Sequence, residues 1–196
     1  MIINIESPNQ PFAVAVAQDV AKRMGLMYLC PHSTPISDFL IQYEQLFNAS
    51  DDDMLQNVLI FLEYAIRAEF VRLYHKELAN NDAVVTNFTI DPIARYLKLS
   101  RYNDVPASDM RQFLRNAILI SGYDIKPTLT FVFIQRATFA YSYEEVLVSA
   151  YHDLEADLAD EPSVQFIDAA NSQQAANCVI HRLKGDSSVN LRNGSV

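Results

Sequence analysis

The first residues that could carry chemistry lie in the segment IESPNQPFAV, at positions 5–14. The apolar run at 1–6 predicts a buried strand, and Pro11 suits the first turn of a following helix. At such a junction, nucleotide-binding proteins place glycines, whose backbone N–H groups hold phosphates, and a lysine. This junction contains no glycine and no lysine. It is either a phosphate loop that has lost its chemistry or an ordinary strand–turn–helix.

A second group of candidate residues is basic and lies within about two dozen positions, a spacing that fits one surface patch. Its members are Arg95, Lys98, Arg101, Arg111 and Arg115. A cluster of this kind commonly forms a solvated face. In a nucleotide-binding fold it would instead line a phosphate pocket, so the sequence leaves both interpretations open.

Composition limits the class of protein. The chain has 196 residues, half of them apolar, and a formal net charge of −9. Because nucleic-acid binding depends on neutralising phosphates, this balance argues against a general nucleic-acid binder. No apolar run is long enough to span a membrane, and the N-terminus does not resemble a signal peptide. We therefore expect a cytoplasmic protein without membrane attachment.

Cysteine and histidine show no metal-binding pattern. Cys30 and Cys178 are far apart, and the four histidines form no paired motif. We expect two free thiols in a reducing compartment, and no metal site.

Apolar periodicity predicts strands and helices that alternate along the whole chain. The predicted strands are 1–6, 26–30, 82–88, 128–134 and 164–167, and the predicted helices are 12–24, 36–48, 52–79, 90–99, 107–121, 143–159 and 172–184. This alternation indicates an α/β fold with a parallel sheet covered by helices on both faces. We expect one domain over 1–184 and a disordered polar tail over 185–196. Ligands of such sheets bind beyond the carboxyl ends of the strands.

Four short segments carry a resemblance to a known family. IESPNQPFAV fits its first loop, I-E-G-x-x-G-x-G-K-[ST], without a gap, and LCPHSTP (29–35) keeps two prolines and a threonine of its second loop. RAEFV (67–71) matches its long middle helix, and TNFTIDP (86–92) keeps the aspartate that follows its third strand. In this order the chain resembles the P-loop nucleoside monophosphate kinases, thymidylate kinase most closely. The resemblance implies a three-layer P-loop-kinase-like fold with a five-stranded parallel sheet.

The same alignment implies that the phosphate loop is degenerate. The family's three glycines, its lysine and its Mg²⁺-binding hydroxyl fall, in order, at Ser7, Gln10, Phe12, Ala13 and Val14. Other catalytic positions also differ: the family's acid after the second strand falls at Cys30, and its Asp-Arg pair falls at Asn87 and Phe88. The segment 135–142 is shorter than the family's arginine-bearing lid. Since phosphoryl transfer depends on positioning and charge stabilisation, these losses predict no usual ATP chemistry.

Some positions retain groups that could bind a substrate under this resemblance, namely Arg67, Asp91, Arg95, Arg101 and Arg136. Arg67 falls at a substrate-contacting arginine, but it also has Glu63 at i,i+4 spacing, which predicts an ion pair on a solvated helix. Asp91 matches the retained aspartate, and we favour it as the cap of the helix 91–99. The four arginines would form an atypical phosphate site only if they converge.

Bulky side chains predict a filled cleft at the phosphate end. Phe12, Phe88 and Tyr28 fall where the family has small or polar groups, although a stacked base would be an alternative role. The aromatic run FAYSY (139–143) marks either a helix start or a contact surface, because tyrosines are enriched at interfaces.

Three hypotheses follow. We favour a catalytically degenerate kinase-like protein that binds or regulates, acting through a protein partner or as a homodimer, without a cofactor. The alternative is a nucleoside monophosphate kinase that uses ATP–Mg²⁺ and an atypical phosphate site without the P-loop lysine. A third possibility is an unrelated α/β protein whose likeness to the family is a coincidence.

Overall fold

The computed structural model describes residues 1–34, 53–99, 109, 112, 116, 125–134 and 142–185. The described strands are β1 (Ile2–Glu6), β2 (Met27–Leu29), β3 (Ala83–Thr86), β4 (Leu129–Val132) and β5 (Val164–Phe166). The described α-helices are α1 (Gln10–Met24), α2 (Asp53–Asn80), α3 (Ile90–Leu99), α4 (Ser142–Asp157) and α5 (Ser172–Gly185). A short 3-10 helix, Pro31–Ser33, follows β2.

The five strands form one parallel sheet in the order β2-β3-β1-β4-β5. The predicted five-stranded parallel sheet is therefore confirmed. β1 occupies the centre, with Ile3 opposite both Val84 of β3 and Leu129 of β4. This central position places the turn after β1 between the ends of its two neighbours, where parallel sheets bind ligands.

Side-chain alternation divides the core into two clusters, one on each face of the sheet. Ile3 and Ile5 of β1 pack with α1 and α5 on one face. Ile2 packs on the other face with residues of α2, α3 and α4. Because Asn4 and Glu6 alternate with the isoleucines, they lie on this second face. β1 thus carries two polar side chains at its carboxyl end, on the side of α2, α3 and α4.

Local sequence signals explain both ends of α1. Asn9 is the N-cap, and its side chain accepts the Phe12 N–H, while Pro11 lies in the first turn as predicted. Gly25 ends the helix in the left-handed conformation, with φ of 66°. A residue with a Cβ is strained in this conformation, which is why glycine stands there.

Several predicted segments lie outside the described residues, among them the helix 36–48, most of the helix 107–121 and the tail beyond Gly185. Asp109, Gln112 and Asn116, from the second of these segments, are helical. None of the helices in the described ranges is long and apolar enough to cross a membrane.

The end of α1 gives a stability prediction. We expect Gly25→Ala to lower the free energy of unfolding by about 1 kcal/mol, because alanine must adopt a left-handed backbone. A Cβ at Gly25 would contact nothing within 4 Å, so the cost is conformational and not steric. Urea unfolding measures it. Gly185→Ala is the matched control: Gly185 also has open space but no left-handed φ, and we expect it to be neutral or slightly stabilising. Equal losses in both variants would contradict the explanation.

Candidate functional site

The turn between β1 and α1 uses its backbone N–H groups within the protein. The Ser7 N–H donates to the Asn87 Oδ1 at 3.0 Å, and the Asn9 N–H donates to the Ser7 Oγ at 3.2 Å. The N–H groups of Phe12 and Ala13 donate to the side-chain and backbone oxygens of Asn9, at 3.1 and 3.0 Å. Two N–H groups of this turn and two of the first turn of α1 therefore already have protein acceptors.

The side chains after this turn belong to the core. Phe12 is buried and packs edge-on against Phe133, with ring centroids 5.9 Å apart. Ala13 is fully buried in the same cluster. Phe88 is buried on the opposite face against Phe70, 5.7 Å between centroids. Both phenylalanines thus fill apolar space beside the sheet.

Asn87 holds the ends of β1 and β3 together. Its side chain accepts the Ser7 N–H and donates to the Ser7 carbonyl at 3.1 Å, while its own N–H donates to the Ile5 carbonyl at 3.0 Å. Its φ of 47° is left-handed, a conformation that asparagine adopts more readily than most residues. This geometry turns the chain sharply from β3 towards α3.

A buried carboxylate caps α3, and it is not the one predicted. α3 begins at Ile90, so Asp91 lies inside its first turn and the prediction of Asp91 as the cap is wrong. Glu6 takes this role: its Oε1 accepts the N–H groups of Thr89 and Ile90 at 2.7 and 2.9 Å, and its Oε2 accepts that of Asp91 at 3.0 Å. The Asn4 side chain also donates to the Glu6 Oε1 at 2.6 Å. A negative charge here also suits the positive end of the helix dipole.

Arg67 is fully buried on the same face of the sheet. Its Nη1 pairs with the Glu63 carboxylate, as the i,i+4 spacing predicts, and its Nη2 donates to the Asn87 carbonyl at 2.7 Å. The Nη2 also lies 3.8 Å from the Asp91 Oδ2. The predicted pair is present, but it is buried and not solvated, because α2 packs its polar stretch against the carboxyl ends of β1 and β3.

Two more elements complete the cluster. Arg95 of α3 lies 2.8 Å from the Asp91 Oδ2 and 3.9 Å from the Glu63 Oε1, measured from its Nε. The His32 Nε2, from the 3-10 helix after β2, lies 3.4 Å from the Glu63 Oε2. The other ring nitrogen of His32 is 2.9 Å from the Gln10 Nε2 at the start of α1. We call Glu6, His32, Glu63, Arg67, Asp91 and Arg95 the ionic cluster.

The cluster shifts the acidity of its members in opposite directions. Burial alone would raise the pKa of Glu63, but Arg67, His32 and Arg95 lower it well below its ordinary value. Burial, helped by the Asp91 charge, raises the pKa of Glu6. The buried Tyr151 hydroxyl donates to the Asp91 Oδ1 at 3.2 Å. Burial and the charges of Asp91 and Glu6 raise its pKa well above the ordinary value.

The predicted site residues are only partly brought together. Arg67, Asp91 and Arg95 meet in the ionic cluster, whereas Arg101 and Arg136 lie outside the described residues, so convergence of all four arginines stays a prediction. The aromatic run 139–143 also lies largely outside them. Tyr28 is half-buried beside Cys30 and Thr86, and burial raises its pKa to about 12.

An open cavity lies elsewhere, beyond the ends of β4 and β5. It has a volume of about 610 Å³ and is lined by Ile134, Phe166, Asp168 and Gln174, among other residues. None of its described lining residues belongs to the ionic cluster. In the ranges that the structure describes, no three His, Cys, Asp or Glu side chains are placed to hold a metal ion.

The architecture matches that of known enzymes. Thymidylate kinase from Candida albicans superimposes with a TM-score of 0.66 and 16% sequence identity, covering 99% of this chain and 95% of that one. Thymidylate kinase from Ehrlichia chaffeensis gives a TM-score of 0.67 and 14% identity, covering 94% of this chain and 98% of that one. The fold is the P-loop kinase fold of thymidylate kinases. No protein-family model matches the chain, and no curated protein does either.

Sequence reasoning missed the roles of Glu6 and His32. One signal for Glu6 was available: a carboxylate at an inward position of a buried strand needs partners, and helix N–H groups are suitable ones. His32 carries no such signal, because its partners come from α1 and α2, which are distant in sequence.

Asn87 gives the first prediction for this site. We expect Asn87→Ala to lower the free energy of unfolding by about 3 kcal/mol, because it leaves the Ser7 N–H and C=O unpaired and places alanine in a left-handed backbone. Chemical denaturation measures the loss. Asn87→Gly is the matched control, since it removes the same hydrogen bonds but tolerates the backbone, and we expect it to cost about 1 kcal/mol less. A loss that is larger in the glycine variant would refute this account.

Glu6 gives a prediction on pH. The pKa of Glu6 is raised in the folded chain above the ordinary value of 4.5. Between these two pKa values the folded chain keeps a proton that the unfolded chain has released. The stability that Glu6 contributes is therefore greatest below the ordinary value and falls as pH rises towards the folded pKa. We expect the unfolding free energy of wild type minus that of Glu6→Gln to decrease as the pH rises above the ordinary value of 4.5. A difference that is constant or rises with pH would show that burial does not control this carboxyl.

Proposed function

We propose that this protein is a catalytically degenerate member of the thymidylate-kinase-like structural group that acts by binding, as a regulatory or interaction protein. The observation that carries the proposal is the turn after β1. The N–H groups of Ser7 and Asn9 in this turn, and of Phe12 and Ala13 in the first turn of α1, donate to protein oxygens. A P-loop needs such groups directed at phosphate oxygens.

The residues at this turn do not fit a nucleoside triphosphate with Mg²⁺. Pro8 and Pro11 have no N–H to donate. Ala13 offers no cation where the lysine would stand, and Val14 offers no metal-binding hydroxyl. With Phe12 packed on Phe133, the site holds an apolar side chain where the loop would approach the phosphates. We therefore assign no cofactor.

The arginines support the same proposal. Arg67 and Arg95 would be the groups to receive a substrate phosphate, but each is paired with carboxylates of Glu63 and Asp91. A phosphate would have to displace one of these buried carboxylates. The partner we propose is another protein or a second copy of this chain, in the cytoplasm.

A nucleotide titration tests this function. We expect isothermal titration with ATP–Mg²⁺, dTMP, dGMP and dCMP to give no binding heat, and a coupled assay to detect no ADP formation. The reason is that the junction of β1 and α1 carries no lysine and its Ser7, Asn9, Phe12 and Ala13 N–H groups have protein acceptors. An active thymidylate kinase is the positive control. Phosphoryl transfer by the wild type that is lost in Arg95→Gln would overturn the proposal, since a contaminating kinase would be unaffected by that variant.

A double variant strengthens the test. Ala13→Lys with Val14→Thr restores the two side-chain types that the P-loop requires. We expect no gain in ATP binding, because the turn's N–H groups stay occupied, and a lower melting temperature, because Ala13 is fully buried. ATP binding by the double variant would mean that the turn still forms a phosphate cradle.

A further inference from the structure

The ionic cluster has an inner and an outer part. Glu6 and Asp91 are fully buried and form its inner part. Glu63 lies in the outer part, with the side chains of His32 and Arg95, which remain 14% and 15% exposed. The cluster is therefore reached from solvent on the side of Glu63.

Glu63 is surrounded there by groups that bind anions. Arg67, on the same helix, pairs with it directly, while His32 and Arg95 approach from the 3-10 helix and from α3. Three separate elements thus bring a guanidinium or an imidazole close to one carboxylate, at the carboxyl ends of β1, β2 and β3, while the Arg95 Nε–H itself donates to the Asp91 Oδ2. In open parallel sheets this edge is where ligands bind.

The donors exceed what Glu63 uses. The Arg67 Nε is buried and has no hydrogen-bond partner among the described residues. A guanidinium binds oxyanions best through two of its N–H groups, and a tetrahedral anion offers more acceptor oxygens than a carboxylate. The lowered pKa of Glu63 fits a position where negative charge is strongly favoured.

From this arrangement we infer that Glu63 is an internal anion that closes a latent phosphate-binding site formed by Arg67, Arg95 and His32. In the wild type the carboxylate holds the donors and keeps phosphate out. The inner carboxylate of Asp91 keeps the two arginines in place when Glu63 is neutral. The inference deepens the proposed function, on which it rests for the absence of nucleotide binding in the wild type.

The test removes the charge of Glu63, so that the arginines hold the neutral side chain more weakly and phosphate can displace it towards solvent. We expect Glu63→Gln to bind inorganic phosphate. At a phosphate concentration of about 100 times the dissociation constant, the melting temperature of this variant should rise by about 5 °C. Chloride at matched ionic strength gives the baseline. The wild type and Glu69→Gln should not respond. Glu69 is the matched control because it lies on the same helix and pairs with Arg72 at the surface.

Two further arms identify the site and the form of phosphate. Glu63→Gln combined with Arg95→Gln should lose most of the response, since it removes one of the two cations. Methyl phosphate tests whether the site prefers a phosphate monoester. Stronger binding of methyl phosphate than of inorganic phosphate indicates a monoester site, and equal binding indicates that only the phosphate group is recognised. Both results support the inference.

Other results overturn it. Equal phosphate responses in Glu63→Gln, the wild type and Glu69→Gln would place the binding elsewhere. Glu63→Gln could fail to fold in chloride, and circular dichroism in phosphate then decides, with the smaller Glu63→Ser measured beside it. Refolding in phosphate supports the inference, and chains that stay unfolded refute it. Silence of both Glu63→Gln and Glu63→Ser, whose short side chain also vacates the site, beside a nucleotide-free wild type overturns this inference alone, whereas ATP turnover by the wild type overturns the proposed function.

Discussion

The capping of α3 by Glu6 is the interaction on which this end of the molecule depends. A carboxylate on the central strand accepts three successive backbone N–H groups from a helix that begins more than eighty residues later. The contact fixes α3 relative to the sheet, and α3 carries Asp91 and Arg95. Asp91 lies beside Arg67, and Arg95 completes the surroundings of Glu63. One strand residue thus sets the geometry of the whole ionic cluster.

At this edge of the sheet, buried positive and negative charges of the protein balance one another. Buried charges are costly unless they are paired, and here every arginine of the cluster has carboxylates within ion-pair distance. The pairing balances the positive charge of the arginines within the protein. A kinase of the same fold needs cations left available for phosphates. At the described arginines Arg67 and Arg95, the protein itself supplies the negative charge.

The sequence predicted the fold better than it predicted the site. Alternating apolar segments and helix-ending signals such as Gly25 are local, so the elements and the parallel sheet followed from them. The ion pair of Arg67 with Glu63 was also local. The cap of α3 was assigned wrongly because Asp91 is a suitable cap in sequence, whereas the carboxylate that takes this role comes from β1. Burial of Arg67 could not be predicted from α2 alone, since it depends on which polar residues of β1 face that helix.

The position of β1 at the centre of the sheet has a consequence for how the chain folds. Its two neighbours begin at Ala83 and Leu129, and all these pairings are parallel. During synthesis, Ile3 and Ile5 have no strand beside them until β3 emerges, and the second edge of β1 waits for β4. Contacts so distant in sequence slow folding and expose apolar strands to aggregation. The nascent chain is therefore vulnerable while the segment between β1 and β4 is being made, and α1, which packs on the same strand directly after it is made, is the element that can shield β1 in that interval.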